Sequence, residues 1–412
     1  MSNSRHIYRC NDCGREYGGD ETIYLCPSCS AGNRSGQPPR GVLKTLYDYD
    51  AVRRSSPSFA ELKRTKFISL LPVETVESLP PLRVGNTPLY RITSAEGQRM
   101  PCRLYLKDDS QNPTWSFKDR ASALVSAYAR ERGFQTIITA STGNAGSSLA
   151  GICASQGQKA LILVPENAPP AKLTQIVMYG ATLVPVKGTY DDAFALSIKA
   201  TEQFGWYNRN TAFNPLTIEG KKSVSFELYE QMGFRLPDTV FVPVGDGVIL
   251  SGVYKGFEEL LRLQITDRMP LIVAVQSAGS DNLVRNIDQE KFEVIPSSTV
   301  ADSISVDLPG NFFMARRYIN EYSGRTMTVT DEEILQASRL LAESTGLFAE
   351  PAAAAAYAGF VSYRRQGLLP DDSDNVVLLT GSGLKDTGSL RQMIKMPESV
   401  TPDVDSLEKA VR

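Results

Sequence analysis

The chain has 412 residues and almost balanced charge, with 44 Lys and Arg against 46 Asp and Glu. At about 150 residues per domain, this length predicts two or three domains. The near-neutral charge does not favour a nucleic-acid-binding or disordered acidic protein. The longest apolar stretch, Ala352 to Phe360, is well short of the roughly 18 residues of a membrane span, and the N-terminus lacks a signal-peptide core. We expect a soluble cytoplasmic protein with a small substrate and no membrane partner.

Four of the six cysteines form two closely spaced pairs near the N-terminus. The pairs are Cys10-x-x-Cys13 and Cys26-x-x-Cys29, with twelve residues between them. This spacing suits four thiolates around one tetrahedral Zn²⁺, and four sulfur ligands leave no open position for catalysis. Disulfides are the alternative, but a reducing cytosol disfavours them. We therefore predict a structural zinc ribbon, and we expect Cys102 and Cys153 to be buried small hydrophobes.

The ribbon is predicted to span residues 1–40. The segment Ser35–Gly41 is rich in Gly, Pro and Ser, a composition typical of a linker.

From about residue 104 onward, short apolar runs alternate with helical patterns, which predicts parallel α/β sheets. Three runs would form one compact unit: 136–139, 160–164 and 181–184. A further strand signal lies at 104–107, and runs at 239–244, 271–275 and 375–379 read as buried strands of a second, larger sheet. Thr330-Asp331-Glu332-Glu333 predicts a capping box that opens a helix, and the alanine-rich run is expected to be a tightly packed helix.

The segment Asn112–Arg120 contains the sequence Ser116-Phe117-Lys118-Asp119-Arg120, which is typical of a lysine that forms a Schiff base. A lysine amine becomes a useful nucleophile only when its neighbours hold it near a carbonyl and keep its proton available. Lys118 is therefore the candidate catalytic residue, with pyridoxal 5'-phosphate as the predicted cofactor.

A polar loop, Ser141-Thr142-Gly143-Asn144, follows a predicted strand and opens a helix. Its hydroxyls and amides would converge on an anion such as a substrate carboxylate, and the Asn144 amide can donate to a phenolate oxygen without adding charge. The alternative is a simple helix N-cap by Ser141 or Thr142.

Two more glycine-rich turns follow predicted strands. Gly245-Asp246-Gly247-Val248-Ile249 precedes a helical pattern, so its backbone amides could hold a phosphate at a helix N-terminus. The glycines could instead be there for steric reasons, and their spacing does not match a dinucleotide site. In the second turn, the neutral hydroxyl of Thr380, or of Ser382, could face a pyridine nitrogen. A simple C-terminal turn is the alternative.

Taken together, these segments resemble the fold-type II pyridoxal-phosphate enzymes, in particular the threonine synthase and serine/threonine dehydratase branch. The motifs occur in family order: Val84–Leu89, Asn112–Arg120, Ser141–Asn144, Glu219–Lys221, Glu350–Ala352 and Thr380–Asp386. The resemblance implies an α/β fold with two parallel-sheet domains, similar to the tryptophan synthase β subunit. A large cofactor-binding domain would span 41–119 and 209–412, and a small mobile substrate domain would span 120–208. It also implies a homodimer, since relatives commonly pair.

The resemblance implies a role for each candidate residue. Lys118 would carry the coenzyme and move protons, Asn144 would bind its 3'-oxygen, and residues 245–249 would hold its phosphate. Thr380, with Ser382 as second candidate, would face the pyridine nitrogen, and the loop 141–144 would grip the substrate carboxylate.

The chain also departs from the threonine synthase pattern. Asp246, Ala145, Thr217 and Ser382 stand where that branch usually has asparagine, a hydroxyl residue, arginine and histidine. The stretch 299–306 resembles the dehydratases. The first expectation is a threonine synthase-like lyase that converts O-phosphohomoserine to threonine and phosphate. The alternatives are a serine/threonine dehydratase-type ammonia-lyase or a β-replacement enzyme. An alternative from another functional class is that the zinc ribbon binds nucleic acid or a protein partner. The mixed charges around the ribbon disfavour this alternative.

Overall fold

A computed structural model describes residues 5–95, 98–391, 394 and 396–411. The N-terminal unit is a three-stranded antiparallel sheet in the order β2-β1-β3, with a one-turn helix that carries the second cysteine pair. Its elements are β1 (His6–Cys10), β2 (Glu16–Gly18), α1 (Pro27–Ser30) and β3 (Leu43–Tyr47). Because β3 pairs with β1 from His6↔Tyr47 to Cys10↔Leu43, the sheet of this unit extends beyond residue 40.

The segment 35–41 is not a free linker, because it returns to the cysteine loop. Arg40 forms an ion pair of 2.7 Å with Asp12, and the Gly41 N–H donates to the same carboxylate at 2.7 Å. The Gly41 carbonyl in turn accepts from the Cys26 N–H at 2.8 Å. Its composition predicted a linker, but composition carries no information about these long-range hydrogen bonds.

The large sheet has six strands in the order β12-β11-β10-β13-β5-β4. Its strands are β4 (Leu89–Ala95), β5 (Gln98–Asp108), β10 (Thr239–Pro243), β11 (Leu271–Ser277), β12 (Arg325–Val329) and β13 (Asp374–Leu379). All neighbours are parallel except β4, which pairs antiparallel with β5 at one edge. The four predicted strands are confirmed, and the two edge strands β4 and β12 are additions.

The small sheet is parallel, with the order β8-β7-β6-β9. Its strands are β6 (Thr136–Ala140), β7 (Lys159–Pro165), β8 (Thr182–Val186) and β9 (Tyr207–Asn208). The three predicted strands are confirmed. The two-residue β9 was too short to give a periodic signal.

Helices connect and cover these strands. They are α2 (Tyr49–Ser55), α3 (Phe59–Arg64), α4 (Lys118–Glu131), α5 (Asn144–Gln156), α6 (Pro170–Met178), α7 (Tyr190–Phe204), α8 (Leu216–Lys221), α9 (Ser223–Gln231), α10 (Val248–Arg262), α11 (Asn282–Arg285), α12 (Phe312–Glu321), α13 (Asp331–Thr345), α14 (Pro351–Arg365), α15 (Thr387–Leu390) and α16 (Val404–Val411). Short 3-10 turns lie at Ile68–Leu70, Val76–Ser78, Asp109–Gln111, Asp302–Ile304 and Gly383–Lys385. Within the described residues, none of the helices has the length and apolarity of a membrane span.

The large sheet is buried on both faces, as parallel sheets require. Along β10, Val240 and Val242 pack in one hydrophobic cluster with Val253 and Phe257 of α10. Phe241, which points the other way, packs in a second cluster with the alanines of α14. The alanine-rich run is thus a buried helix, as predicted. The predicted capping box is also present: the Thr330 hydroxyl accepts from the Glu333 N–H, and the Glu333 carboxylate accepts from the Thr330 N–H. Two apolar faces per strand explain why these strands read as continuous apolar runs.

Candidate active site

Lys118 is the first residue of α4 and is held beside the C-terminal turn that follows β13. The Phe117 N–H donates to the Thr380 carbonyl at 2.8 Å, and the Ser382 N–H donates to the Trp115 carbonyl at 3.1 Å. These bonds join two segments far apart in sequence. The lysine and the two hydroxyl residues predicted to face a cofactor ring therefore lie in adjoining backbone segments.

The environment of Lys118 favours a neutral amine. Desolvation by burial lowers the pKa of Lys118; the negative charges of Asp246 and Glu350 act in the opposite direction, and the positive charge of Arg209 acts in the same direction as burial. A lysine with a lowered pKa has more unprotonated amine at neutral pH, which is the form that attacks a carbonyl.

A buried ion network fixes α4 and so the position of its first residue. Arg120 forms ion pairs of 2.6 Å with Asp109 and 2.6 Å with Glu227, and Lys107 contacts Glu227 at 2.6 Å. Burial acts to raise the pKa of Glu227, but the charges and hydrogen bonds of Arg120 and Lys107 outweigh it and lower the pKa to about 2. The Asp119 carboxylate accepts from the Thr114 N–H at 2.7 Å and closes the turn before Lys118.

The Asn144 side chain binds Glu350, a residue that had no predicted role. Its amide donates to the two Glu350 carboxylate oxygens at 2.9 and 3.1 Å and to the Ser303 hydroxyl at 3.3 Å. Glu350 is buried, and desolvation raises its pKa while the Asn144 amide acts to lower it. A Cβ at Gly381 would lie 2.5 Å from Glu350 Oε1. This glycine therefore lets the carboxyl reach Asn144. The sequence signal for Glu350 was its place in the motif Glu350–Ala352, directly before the proline that begins α14.

The glycine turn after β10 is shaped by close approach. A Cβ at Gly245 would lie 2.9 Å from the Ile304 Cα, and Gly247 has a φ of +85°, which favours glycine. The Asp246 carboxylate accepts from the Val248 N–H at 2.9 Å, and the Asn311 N–H donates to the Asp246 carbonyl at 2.9 Å. Asp246 is thus tied to the start of α10, where a phosphate was expected.

Two buried basic side chains that had no predicted role also lie in this region, and one of them, Lys221, belongs to the motif Glu219–Lys221. Arg209 follows β9, and Lys221 ends α8; both are 0% exposed. Among the described residues, Arg209 Nη2 and Lys221 Nζ have no hydrogen-bond partner. The carboxylate of Asp246 acts electrostatically on Lys118, Lys221 and Arg209. The acidic residue beside this turn is therefore matched by three nearby basic side chains.

A cavity of about 440 Å³ opens beside the Asn144–Glu350 pair. Its lining includes Trp115, Thr142, Asn144, Ser303, Glu350 and Lys385. The Lys385 amine donates to the Thr114 carbonyl, the Ser147 hydroxyl and the Gln175 side chain, each at 2.9 Å. Desolvation lowers the pKa of Lys385 to about 8. The predicted carboxylate loop and the predicted Asn144 thus border one pocket.

The residues fit pyridoxal phosphate on structural grounds. A desolvated lysine, a glycine turn at a helix N-terminus, and buried cations without partners suit an aldehyde that carries a phosphate. Lys118, the start of α10 and the turn at Thr380 would hold such a group.

The four N-terminal cysteines also converge. Their sulfur atoms all lie within 4.8 Å of one another, with Cys10 to Cys29 and Cys13 to Cys26 at 3.7 Å each. Four sulfurs at about 2.3 Å from a tetrahedral metal would be about 3.8 Å apart. Cys102 and Cys153 are buried, at 4% and 0% exposure, as predicted.

The chain is similar to curated threonine synthases over nearly its whole length. It is 33% identical to that of Methanocaldococcus jannaschii over 98% of this chain and 99% of the relative. It is 34% identical to that of Methanosarcina acetivorans over 98% of each.

Solved structures share the fold at lower identity. The processed form of threonine deaminase isoform 2 from Solanum lycopersicum has a TM-score of 0.65 at 22% identity and covers 81% of this chain and 92% of its own. Maize serine racemase has a TM-score of 0.63 at 23% identity and covers 75% and 92%.

The family described as pyridoxal-phosphate dependent enzyme matches residues 81–381, which include Lys118, the glycine turn at 245–249, the Asn144 loop and Thr380. The predicted fold class, the pyridoxal phosphate cofactor and the lyase class are therefore confirmed. The chain belongs to the pyridoxal-phosphate dependent enzymes of fold-type II and has threonine synthases among its relatives.

Proposed function

We propose that this protein is a threonine synthase, converting O-phosphohomoserine and water to threonine and phosphate. The observation that carries the proposal is the full-length match to threonine synthases, which includes the cysteine-rich N-terminal unit. In the reaction, a proton from Cβ replaces the phosphate at Cγ. Water gives its hydroxyl to Cβ and its proton to the released phosphate.

Pyridoxal phosphate, when bound, supplies an electron sink that stabilises negative charge at the substrate Cα. The chain must supply the binding, orientation and proton transfer. Lys118 would hold the coenzyme in the resting enzyme and, once released, carry protons at Cα. Its lowered pKa supports this role, because a neutral amine can accept a proton near neutral pH.

The remaining candidate residues would orient the reactants. Residues 245–249 would bind the coenzyme phosphate with helix N-terminal amides, and residues 141–144 would bind the substrate carboxylate. The Asn144 amide, which here contacts Glu350, would also bind the coenzyme 3'-oxygen. The neutral Thr380 hydroxyl would leave the pyridine nitrogen unprotonated.

One observation favours a second candidate, an ammonia-lyase acting on serine or threonine. Ser303 belongs to the stretch that resembles dehydratases, and its hydroxyl lies 3.3 Å from the Asn144 amide inside the site. In addition, Thr217 is buried, and its hydroxyl donates to the Asn214 carbonyl at 2.7 Å. Because the Thr217 hydroxyl donates to this carbonyl, Thr217 does not take the place of the arginine that would bind a substrate phosphate.

A substrate panel tests the two candidates. Purified holoenzyme is incubated with O-phosphohomoserine, O-phosphoserine, serine and threonine, and both phosphate and ammonia are measured. Threonine synthase activity gives phosphate from O-phosphohomoserine without equivalent ammonia. Ammonia and a 2-oxo acid from serine or threonine would establish the second candidate instead.

We further propose that the four cysteines hold a structural zinc ion. The sulfur spacing supports this, as does the closed set of four thiolate ligands, which leaves no position for substrate.

A further inference from the structure

Lys221 and Arg209 are two buried cations in an arrangement that the coenzyme motifs do not explain. Both side chains are fully buried, and within the described chain Lys221 Nζ and Arg209 Nη2 have no hydrogen-bond partner. The rest of the Arg209 guanidinium has partners, since Nε donates to the Ser122 hydroxyl and Nη1 donates to the Thr211 hydroxyl at 2.6 Å. Burying the Lys221 amine without any partner is strongly unfavourable. Groups of this kind mark a place for a bound anion.

The two side chains approach Lys118 from different elements. Lys221 lies one helical turn after Thr217 in α8, and a Cβ at Gly252 of α10 would be 2.7 Å from the Lys221 Cβ. Arg209 donates through Nε to the Ser122 hydroxyl at 3.2 Å, and Ser122 lies one turn after Lys118 in α4. The glycine at 252 therefore gives Lys221 room beside α10, and Ser122 orients Arg209.

Burial is the largest influence on the Lys221 amine and lowers its pKa well below the usual range. Lys118 and Arg209 act in the same direction as like charges, and the Asp246 carboxylate opposes them. Asp246 already accepts a hydrogen bond from Val248. Asp119, which also acts on Arg209, accepts from Thr114. These two carboxylates offset part of the positive charge, and a bound anion would supply the partner that the Lys221 amine lacks.

We propose that Lys221 and Arg209 form a buried pocket for a phosphate monoester dianion. Resting on the proposed function, the occupant that we favour is the phosphate of an O-phosphorylated amino-acid substrate, while the coenzyme phosphate is the other source of the same chemistry. The glycine turn already offers the coenzyme phosphate its own helix N-terminus. Arg209 adjoins the small sheet, because its N–H donates to the Ile138 carbonyl at 2.8 Å.

Binding of inorganic phosphate to purified holoenzyme, measured by calorimetry, tests the pocket without turnover. We compare the wild type with Lys221→Met, which keeps the length but removes the charge, and with Arg209→Lys, which keeps charge but loses the planar fork. Lys187→Met, at an exposed lysine, controls for a change in overall charge. We expect Lys221→Met to weaken phosphate binding by about tenfold or more and Lys187→Met to leave it unchanged.

A parallel measurement of coenzyme affinity in the apoenzyme distinguishes the two sources. Weaker phosphate binding with unchanged coenzyme affinity assigns the pocket to the substrate. Weaker coenzyme affinity with unchanged phosphate binding assigns it to the coenzyme and keeps the dianion pocket. If both variants bind phosphate and coenzyme as the wild type does, the pocket is disproved.

Thermal unfolding separates a binding role from a structural one. In phosphate-free buffer, we expect Lys221→Met to unfold at or above the wild-type temperature, since it removes an unpartnered buried charge. Added phosphate should stabilise the wild type but not this variant. A wild type that binds phosphate here yet releases none from any O-phosphorylated amino acid would contradict the proposed function while leaving the pocket intact.

Discussion

At the scale of single residues, Lys118 carries the strongest prediction. Its replacement by alanine should abolish the covalent link to the coenzyme and the visible absorption that depends on it, with turnover falling by several orders of magnitude. Borohydride reduction followed by peptide mass analysis locates the labelled lysine. Lys159→Ala, at an exposed lysine of β7, should keep colour and turnover. Coenzyme attached elsewhere in the wild type would refute the assignment.

The residues to which the sequence alone gave no role share one property. Glu350, Arg209 and Lys221 gain their meaning from burial and from neighbours distant in sequence, such as Asn144 beside Glu350. A glycine turn or a strand-to-helix loop can be predicted from the local sequence, because its backbone geometry requires certain residues. The sequence does not show whether a charged side chain has an ion-pair or hydrogen-bond partner in the fold.

At the scale of elements, the ion network that holds α4 predicts a dependence of stability on pH. The pKa of Glu227 is lowered to about 2, against about 4.3 in unfolded chains. Its contribution to stability is therefore complete above about pH 4.3 and is lost as the pH falls toward about 2. Since removing one partner of a buried ion pair leaves the other uncompensated, Glu227→Gln should cost about 3–5 kcal/mol at pH 7.

Urea unfolding at pH 7 and at pH 3 measures this effect. The difference between wild type and Glu227→Gln should shrink at pH 3, where this carboxylate is protonated in the unfolded wild type but still largely ionised in the folded one. Glu321→Gln, at an exposed glutamate of α12, serves as the matched control and should change stability little at either pH. Equal stability of wild type and Glu227→Gln at pH 7 would show that the network does not anchor α4.

The N-terminal unit is joined to the elements of the active site, so metal loss should act beyond the ribbon. From β3, the Tyr47 hydroxyl donates to Glu219 at 2.8 Å, and Lys44 pairs with Glu258 at 2.7 Å. These partners lie in α8 and α10, which carry Lys221 and the glycine turn.

We expect about one zinc per chain by elemental analysis. Chelation should lower the unfolding temperature, and Cys10→Ser should lose the metal. Cys102→Ala, at a buried cysteine outside the cluster, should retain it. Full stability after complete removal of zinc would contradict a structural role.

Most elements with a strong periodic pattern were predictable, and edge elements were not. Central strands such as β10 and β13 are apolar on both faces, and the Thr330 capping box satisfies its helix locally. The edge strand β12 is partly exposed and reads Arg325–Val329 with alternating polar residues. Its position depends on pairing with β11 rather than on its own composition.

At the scale of the whole molecule, the fold class followed from the alternation of strands and helices, and the cofactor from the order of the motifs. The substrate did not follow in the same way. Thr217, which stands where threonine synthases usually have an arginine, donates its hydroxyl to the Asn214 carbonyl. In our proposal, Arg209 and Lys221 supply the positive charge for a substrate phosphate instead. The domain closure and homodimer that the resemblance implies stay predictions, and sedimentation of the holoenzyme tests the second.

The product balance of O-phosphohomoserine turnover tests the central claim most directly. Inorganic phosphate, threonine and ammonia are quantified together after incubation with purified holoenzyme. A threonine synthase gives phosphate and threonine in equal amounts with no matching ammonia. Ammonia and a 2-oxo acid in place of threonine, or no phosphate release from this substrate, would contradict the assignment.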